Sequence, residues 1–327
     1  MWPNVAALSF TLVGYANGVV MLGHDALWVN ALCLVFVAQA LVWSAYFIHE
    51  FTHQSIFKTP AENERWGTLM AWMNGSCYAR FSNLRHMHMR HHIDRANIVN
   101  FDLKERPGPF PAWLRCCIIT LEWAYFPAVE FLMRALVMML PFQNPKKKSG
   151  RLRIVLIAVV RLLAFTVMAW WSVKAVVLYF VAYVVFITVL RFADCFQHTY
   201  DAYAVLDDQP IPVDKLCDRV YEQANTYSDF VGLNHTWLNL VWLNFGFHNA
   251  HHERPTAPWH RLPAFHRELY TADYVQVVTV PQLLRNFHIN RVKCIVECDY
   301  GRVGPLGSIG RADTFVGAVG VSFLTAV

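Results

Sequence analysis

Four long apolar stretches, arranged in two pairs, constrain the fold of this chain more than any other feature. The first pair covers residues 5–23 and 26–48, and the second pair covers residues 154–171 and 175–196. An α-helix of roughly 17–25 apolar residues crosses a hydrocarbon core of about 30 Å. Only a few residues separate the members of each pair. The sequence therefore predicts an all-α integral membrane protein with four transmembrane helices in two hairpins.

Charge supports a membrane protein and argues against nucleic-acid binding. Charged residues make up 16% of the chain, whereas soluble domains have about 25%. The formal net charge of +5 is modest, and basic residues cluster next to an apolar span: residues 146–148 are lysines, followed by Arg151 and Arg153. The two short turns carry only Asp25 and Lys174 as charged residues. The positive-inside rule then predicts that both termini and all long connections are cytoplasmic.

The polar connections predict the remaining parts of a single domain over residues 1–327. Segments 49–111 and 199–300 are rich in histidine and predict a cytoplasmic cap. Segment 112–141 is apolar, but it is broken by Pro127 and carries charges at intervals, which favours helices lying in the membrane interface. The eight cysteines form no CxxC pair, and we interpret them as free thiols.

Histidine boxes are the strongest functional signal. Fifteen histidines occur, and eight of them fall in the short boxes HEFTH (49–53), HMRHH (88–92) and HNAHH (248–252). Residues three and four apart share a helix face, and imidazole is a common ligand of iron, copper, zinc and nickel. The boxes therefore predict metal binding by His49, His53, His88, His91, His92, His248, His251 and His252.

The position of the boxes predicts one shared site. A helix from residue 26 to residue 53 would be about 42 Å long, so the first box would emerge at the cytoplasmic face, where the other two boxes are also expected. His198 follows the fourth span, and Asp194 lies one turn before it. With the box histidines they give ten candidate ligands, enough for two metal ions with five each, although Arg191 is an alternative partner for Asp194.

Two other metal sites share part of this pattern. The first box matches HExxH, the zinc-protease motif, with Glu50 as general base. Such a site needs three protein ligands and a water, which leaves the other boxes without a role. A soluble di-iron carboxylate bundle needs Glu-x-x-His on two helices, and only Glu50 with His53 fits. Both alternatives account for fewer of the histidines.

The pattern resembles the membrane fatty acid desaturase superfamily. The resemblance covers roughly residues 26–270 and rests on the three boxes, the FQHTY stretch (196–200) and the two hairpins. It implies a stem of four membrane helices below a cytoplasmic cap, and two non-haem iron ions bound by the box histidines. It also implies that His198 is the ligand from the end of the fourth helix. The stearoyl-CoA branch has asparagine at the position of Asp194, so the role of this residue as a ligand is tentative.

The resemblance implies an O2-dependent fatty-acyl desaturase that forms a carbon–carbon double bond. Decarboxylation to a terminal alkene and lipid hydroxylation stay open, because the same iron ligands serve all three reactions. The sequence has no haem-binding pattern, no Fe–S cysteine spacing and no GxGxxG motif. We therefore expect an external ferredoxin- or cytochrome/reductase-type electron donor. An acyl tunnel would be lined by aromatic residues such as Trp43, Tyr46, Tyr179 and Phe186.

Overall fold

The computed structural model describes residues 2–99, 110–204, 214–215, 217–271, 274, 276–297, 315–319 and 324. Almost every regular element is a helix. The helices are α1 (Trp2–Met21, with a π-helical turn at Phe10–Gly14), α2 (Leu27–Thr52), α3 (Pro60–Asn74), α4 (Phe81–Asp94), α5 (Ala112–Trp123), α6 (Ala128–Gln143), α7 (Arg151–Trp171), α8 (Val173–Asp194), α9 (Arg219–Ala224), α10 (His248–Glu253), α11 (Leu262–Leu269), α12 (Val280–Asn290) and α13 (Lys293–Val296). Short 3₁₀ turns precede α7 and α11.

Four helices are long and apolar enough to cross a membrane: α1, α2, α7 with its preceding 3₁₀ turn, and α8. This confirms the prediction of a helical fold with four candidate membrane spans. The largest difference from the sequence boundaries is in the third span, which begins at Pro145 and not at residue 154. Helix α2 (Leu27–Thr52) nearly matches the helix expected over residues 26–53. The last residues of α2, including His49 and Glu50, are buried by protein.

One short pair of strands departs from an all-α fold. Strand β1 (Asn97–Val99) pairs in parallel with β2 (Ala202–Ala204), with Asn97 opposite Ala202. The pair ties the chain after the second histidine box to the chain after His198. It therefore fixes the relative position of two segments that carry candidate ligands.

Helix α2 is the centre of the spanning helices. In its most apolar stretch 61% of the residues are buried inside the protein, against 11% for α7. Helices α1, α3 and α8 all pack against it. At the end distant from the boxes, Asn30 donates to the carbonyls of Leu22 and His24 at 3.0 and 2.9 Å, and Lys174 donates to the same His24 carbonyl. These bonds join the turn between α1 and α2 to the turn between α7 and α8.

The turn between α3 and α4 lies against the spanning helices. It begins at Gly75, whose positive φ of 85° suits glycine. The hydroxyl of Tyr183 on α8 donates to the carbonyl of Asn74 at 3.0 Å, and Arg153 on α7 donates to the carbonyl of Cys77 at 2.9 Å. Buried backbone outside a regular helix needs such partners inside the protein. The side chains of α7 and α8 thus satisfy carbonyls that this turn leaves open.

Helices α5 and α6 occupy the segment predicted to be interfacial, and they meet at Pro127. Glu122 near the end of α5 accepts from the backbone N–H of Val129 at 2.7 Å and forms a buried ion pair with Arg191 of α8. This pair attaches the α5–α6 segment to α8. The location of α5 and α6 in a membrane interface stays a prediction.

Candidate metal centre

All nine predicted histidine ligands converge in the structure. Four segments supply them: the end of α2, helix α4, the chain just after α8, and helix α10. They form two groups, and in each group one ligand atom per residue lies within 4.8 Å of all the others. The first group is His49, His53, His88, His92 and His251, and the second is His91, His198, His248 and His252.

Helix geometry explains how each box divides between the groups. Residues four apart differ by only about 40° around a helix, at 3.6 residues per turn. In α4, His88 and His92 accordingly enter the first group while His91 enters the second. In α10, His248 and His252 enter the second group while His251 enters the first. Each HxxHH box thus contributes to both groups, which holds the two groups side by side.

Distances between ring nitrogens match those around a metal ion. Two nitrogens that lie about 2.1 Å from one ion, at right angles to each other, are about 3.0 Å apart. Five Nε2–Nε2 distances fall between 2.7 and 3.2 Å: His53–His88, His88–His92, His92–His251, His91–His198 and His198–His248.

Hydrogen bonds behind the rings decide where the nitrogen lone pairs point. The carbonyl of Ala96 can only accept, so His91 donates to it from Nδ1, at 2.8 Å. Thr226 donates its hydroxyl hydrogen to the carbonyl of Glu222, so it accepts from Nδ1 of His198, at 3.4 Å. Both histidines therefore present unprotonated Nε2 atoms to each other at 3.0 Å. Two facing lone pairs at this distance repel each other unless a cation lies between them.

Burial keeps these rings neutral. Loss of contact with water disfavours the charged imidazolium, and this lowers the pKa of His91 and His252 to about 3. The same cause holds the pKa of His88 and His198 well below 6.5. A neutral imidazole has a free lone pair for a metal. The groups are thus ready to bind a cation at neutral pH without first releasing protons.

Glu222 is the main carboxylate behind the site. Its Oε1 accepts from Nδ1 of His252 at 2.9 Å, and its Oε2 accepts from Arg95 at 3.2 Å. Nε2 of His252 is buried and has no hydrogen-bond partner among the residues that the structure describes. Metal-binding histidines usually donate their second nitrogen to such a carboxylate. Glu222 thereby orients the free nitrogen of His252 toward the second group, and with His92 and His252 it also forms a smaller potential ligand cluster.

Asp194 lies in neither histidine group. Its Oδ1 is buried without a hydrogen-bond partner in the described part of the chain. Arg191, the alternative partner considered from the sequence, pairs with Glu122 instead. A ligand role for Asp194 stays a prediction. His86, close to the second box, is exposed.

Glu50 has a structural role that does not fit a zinc-protease base. Its Oε2 accepts from the hydroxyl of Ser55 at 2.7 Å and from the backbone N–H of Trp259 at 3.0 Å. The carboxylate is buried. It therefore joins the end of α2 to the segment that follows the third box.

Sequence reasoning missed the residues that orient the ligands: Glu222, Thr226 and the carbonyl of Ala96. None of them lies in a box, and their partners are distant in sequence. One general signal was available, because metal-bound histidines usually have a carboxylate partner, but no spacing in the sequence selects Glu222 from the other acids.

Comparison of the sequence with known protein families agrees with this geometry. The sequence model of the family described as fatty acid desaturase matches residues 25–281. That range includes all three boxes, His198 and Glu222. No curated protein matches the chain. The family match covers well over half of the chain and coincides with the two histidine groups, and on this evidence the chain belongs to the fatty acid desaturase family.

Proposed function

We propose that this protein is an O2-dependent fatty-acyl desaturase with two non-haem iron ions. The observation that carries the proposal is the pair of adjacent imidazole groups, five and four histidines, drawn from four segments of the chain. The facing lone pairs of His91 and His198 support a bound cation. Family membership supports oxidation of a fatty-acyl substrate in a membrane.

The residues present fit two iron ions. Imidazole suits iron, each group offers at least four neutral nitrogens, and Nε2 of His252 is a buried atom that a metal would satisfy. Iron would supply O2 activation and an oxidant able to remove hydrogen from a methylene group. The protein's own part is to hold the ligand nitrogens, to keep the Nδ1–H of His252 donating to Glu222 and to exclude water. His49 and His251 are fully buried, which serves the last of these roles.

The same ligand set would also serve decarboxylation or hydroxylation. Which bond reacts depends on the carbon that faces the oxidant, and this is fixed by how the acyl chain is positioned. We favour desaturation because it is the activity for which the matching family is described. Two electrons and two protons are needed for each O2 reduced together with a substrate methylene pair, giving an alkene and two waters. We propose that a ferredoxin- or cytochrome/reductase-type donor supplies the electrons.

We also propose the arrangement in the membrane. The four spans form two hairpins, with the histidine groups and both termini on the cytoplasmic side. Support comes from the basic residues before α7 and from the bonds of Asn30 and Lys174, which tie the two short turns together at the opposite end. We propose that segments 49–111 and 199–300 contribute the cap, except for the end of α3 and the turn after it, which pack against the spanning helices, and that α5 and α6 lie at the interface.

Expression in a host with profiled acyl lipids tests the reaction. Mass spectrometry of retained lipids and of headspace volatiles would be compared for the unchanged protein, His198→Ala as the inactive variant and His260→Ala as a matched control outside both groups. New acyl double bonds are expected with the unchanged protein and with His260→Ala only. A terminal alkene one carbon shorter would indicate decarboxylation, and hydroxy acids would indicate hydroxylation. Purified protein with one zinc and no iron would overturn the proposal in favour of the protease.

A further inference from the structure

An apolar cavity of about 480 Å³ lies between the spanning helices, apart from the histidine groups. Helices α1, α7 and α8 and the end of α3 line it, with walls that include Val19, Ala164 and Phe165. Val20 and Val167 line it as well and are exposed on the outer surface of the protein. None of the nine histidines contributes to its walls. The cavity is therefore open sideways, in the direction where lipid chains are expected.

Arg161 gives this cavity a charge. It is the one charged residue between positions 154 and 171 of the sequence. It lies ten residues from each end of α7 (Arg151–Trp171), which corresponds to about 15 Å in either direction and thus to the middle of a hydrocarbon core of about 30 Å. An ionisable side chain at this depth is costly, and it commonly marks a functional site.

Within the described residues, both hydrogen bonds of Arg161 come from one of its three guanidinium nitrogens. Nη2 donates to the carbonyl of Trp72 and lies 3.5 Å from the sulfur of Cys77. These contacts explain why a cation sits at the end of α3. They do not use Nε, which is buried and has no hydrogen-bond partner within the described residues. None of the ion pairs between described residues includes Arg161.

Two tyrosine hydroxyls border the same cavity. The hydroxyls of Tyr15 on α1 and Tyr179 on α8 are 3.0 Å apart, and both residues line the cavity together with Arg161. One cation and two hydroxyl groups thus face a space that is otherwise apolar. Such a site suits an amphiphile with a small acidic head, because guanidinium binds carboxylates with strong charge-assisted hydrogen bonds.

We propose that this cavity binds a free fatty acid, with its carboxyl group on Arg161 and the tyrosine hydroxyls and its chain along the apolar walls. The expected depth of Arg161 in the bilayer favours a fatty acid over a phospholipid as the ligand. A phospholipid head group stays at the interface, about 15 Å away from Arg161, whereas a protonated fatty acid passes through the middle of a bilayer when it crosses from one leaflet to the other. Its carbonyl oxygen can then accept from the guanidinium while its hydroxyl donates to a tyrosine oxygen, so the acid need not lose its proton there. The site would hold acyl chains apart from the metal centre, whichever reaction that centre performs.

Photolabelling tests the site directly. The purified full-length protein in lipid nanodiscs would be irradiated with palmitic acid that carries a diazirine on its chain, and the labelled peptides would be mapped by mass spectrometry. A parallel sample would contain phosphatidylcholine with the same diazirine chain. The fatty-acid probe is expected to label peptides containing residues 15–20 and 160–171. Arg161→Gln should lower this labelling by about tenfold or more, the loss expected for a charge-assisted hydrogen bond.

A matched pair of variants, both of which keep Arg161, shows whether labelling depends on the cavity itself. Ala164→Phe fills the cavity and keeps the arginine, whereas Ala158→Phe makes the same change at an exposed position of α7 that does not line the cavity. Labelling should be lost in the first variant and kept in the second. Equal labelling by the phosphatidylcholine probe, unchanged labelling in Ala164→Phe, or no labelling would each overturn the proposal. Chelator-treated protein should label equally well, so this result and the iron result can fail independently.

Discussion

Single histidines determine how many metal ions the centre can hold. His198 belongs to the second group, where its loss leaves three histidines, while His53 belongs to the first, where its loss leaves four. We expect His198→Ala to lower bound iron from about two ions per chain to about one. His53→Ala leaves as many histidines as the intact second group has and should keep more iron, but either substitution should abolish turnover. Iron would be measured by plasma mass spectrometry on the purified protein. His24→Ala, outside both groups, should keep full iron, and full iron with full activity in His198→Ala would contradict the assignment.

Glu222 gives a second prediction at this scale. In Glu222→Ala the Nδ1 hydrogen of His252 loses its acceptor and Arg95 loses its ion-pair partner. Loss of such a supporting carboxylate lowers metal affinity by about 10–100-fold. Competition with a chelator would measure it, together with the Mössbauer spectrum of the remaining iron, which a purely structural role would not change. Glu222→Gln should recover part of the affinity because its amide oxygen can still accept.

A surface acid supplies the control for Glu222. Glu268 pairs with Arg254, belongs to neither histidine group, and has a side chain that is 58% exposed. Glu268→Ala should leave metal affinity unchanged. If both glutamate variants bound iron as tightly as the unchanged protein, the orienting role of Glu222 would be wrong.

The convergence of the box histidines could be predicted from the sequence, whereas the residues that support them could not. Helical spacing within a box is local, so His88 and His92 fall into one group as the period of the helix requires. The bond from His252 to Glu222 depends instead on how α9 packs against α10. Such long-range packing leaves no periodic trace in the sequence.

Among the helices, α7 and α8 together support the turn between α3 and α4, and Arg153 of α7 makes three of these hydrogen bonds. Arg153 donates to the carbonyls of Cys77, Tyr78 and Ala79 at 2.9–3.3 Å. Arg153→Gln should reduce stability by about 1–3 kcal/mol, because buried carbonyls would lose their charged donor. Thermal unfolding in detergent would measure the change. Lys148→Gln, an exposed basic residue nearby, should unfold as the unchanged protein does, and equal unfolding of both variants would contradict this role.

The four spanning helices could be predicted because hydropathy alone marks them, but the position of α3 could not. Glu62, Glu64 and Arg65 make its first half polar, so the sequence predicts part of a cap. In the structure α3 packs along α2. The carbonyls at its far end and in the turn after it accept hydrogen bonds from Tyr183 and Arg153. Those partners belong to helices more than 70 residues further along the chain, and only tertiary packing brings them there.

For the molecule as a whole, sidedness is the property on which substrate access and electron supply depend. Five basic residues stand at positions 146–153 just before and within the first turn of α7, and the short turns at the other ends of the spans carry Asp25 and Lys174. The positive-inside rule then places residue 148 in the cytoplasm and residue 25 outside. Asp25→Cys should react with a membrane-impermeant maleimide on intact cells, because residue 25 is exposed.

Lys148→Cys should react only after the cells are permeabilised. Peptide mapping by mass spectrometry distinguishes the new thiols from the native ones, and exposed Cys217 then reports on the side that holds the histidine groups. Cys217 lies two residues before α9, which carries Glu222. If the metal centre is cytoplasmic, Cys217 must therefore react only after permeabilisation, as Lys148→Cys does. Labelling of Cys217 on intact cells, with Asp25→Cys protected, would place the centre outside and would exclude a cytoplasmic electron donor.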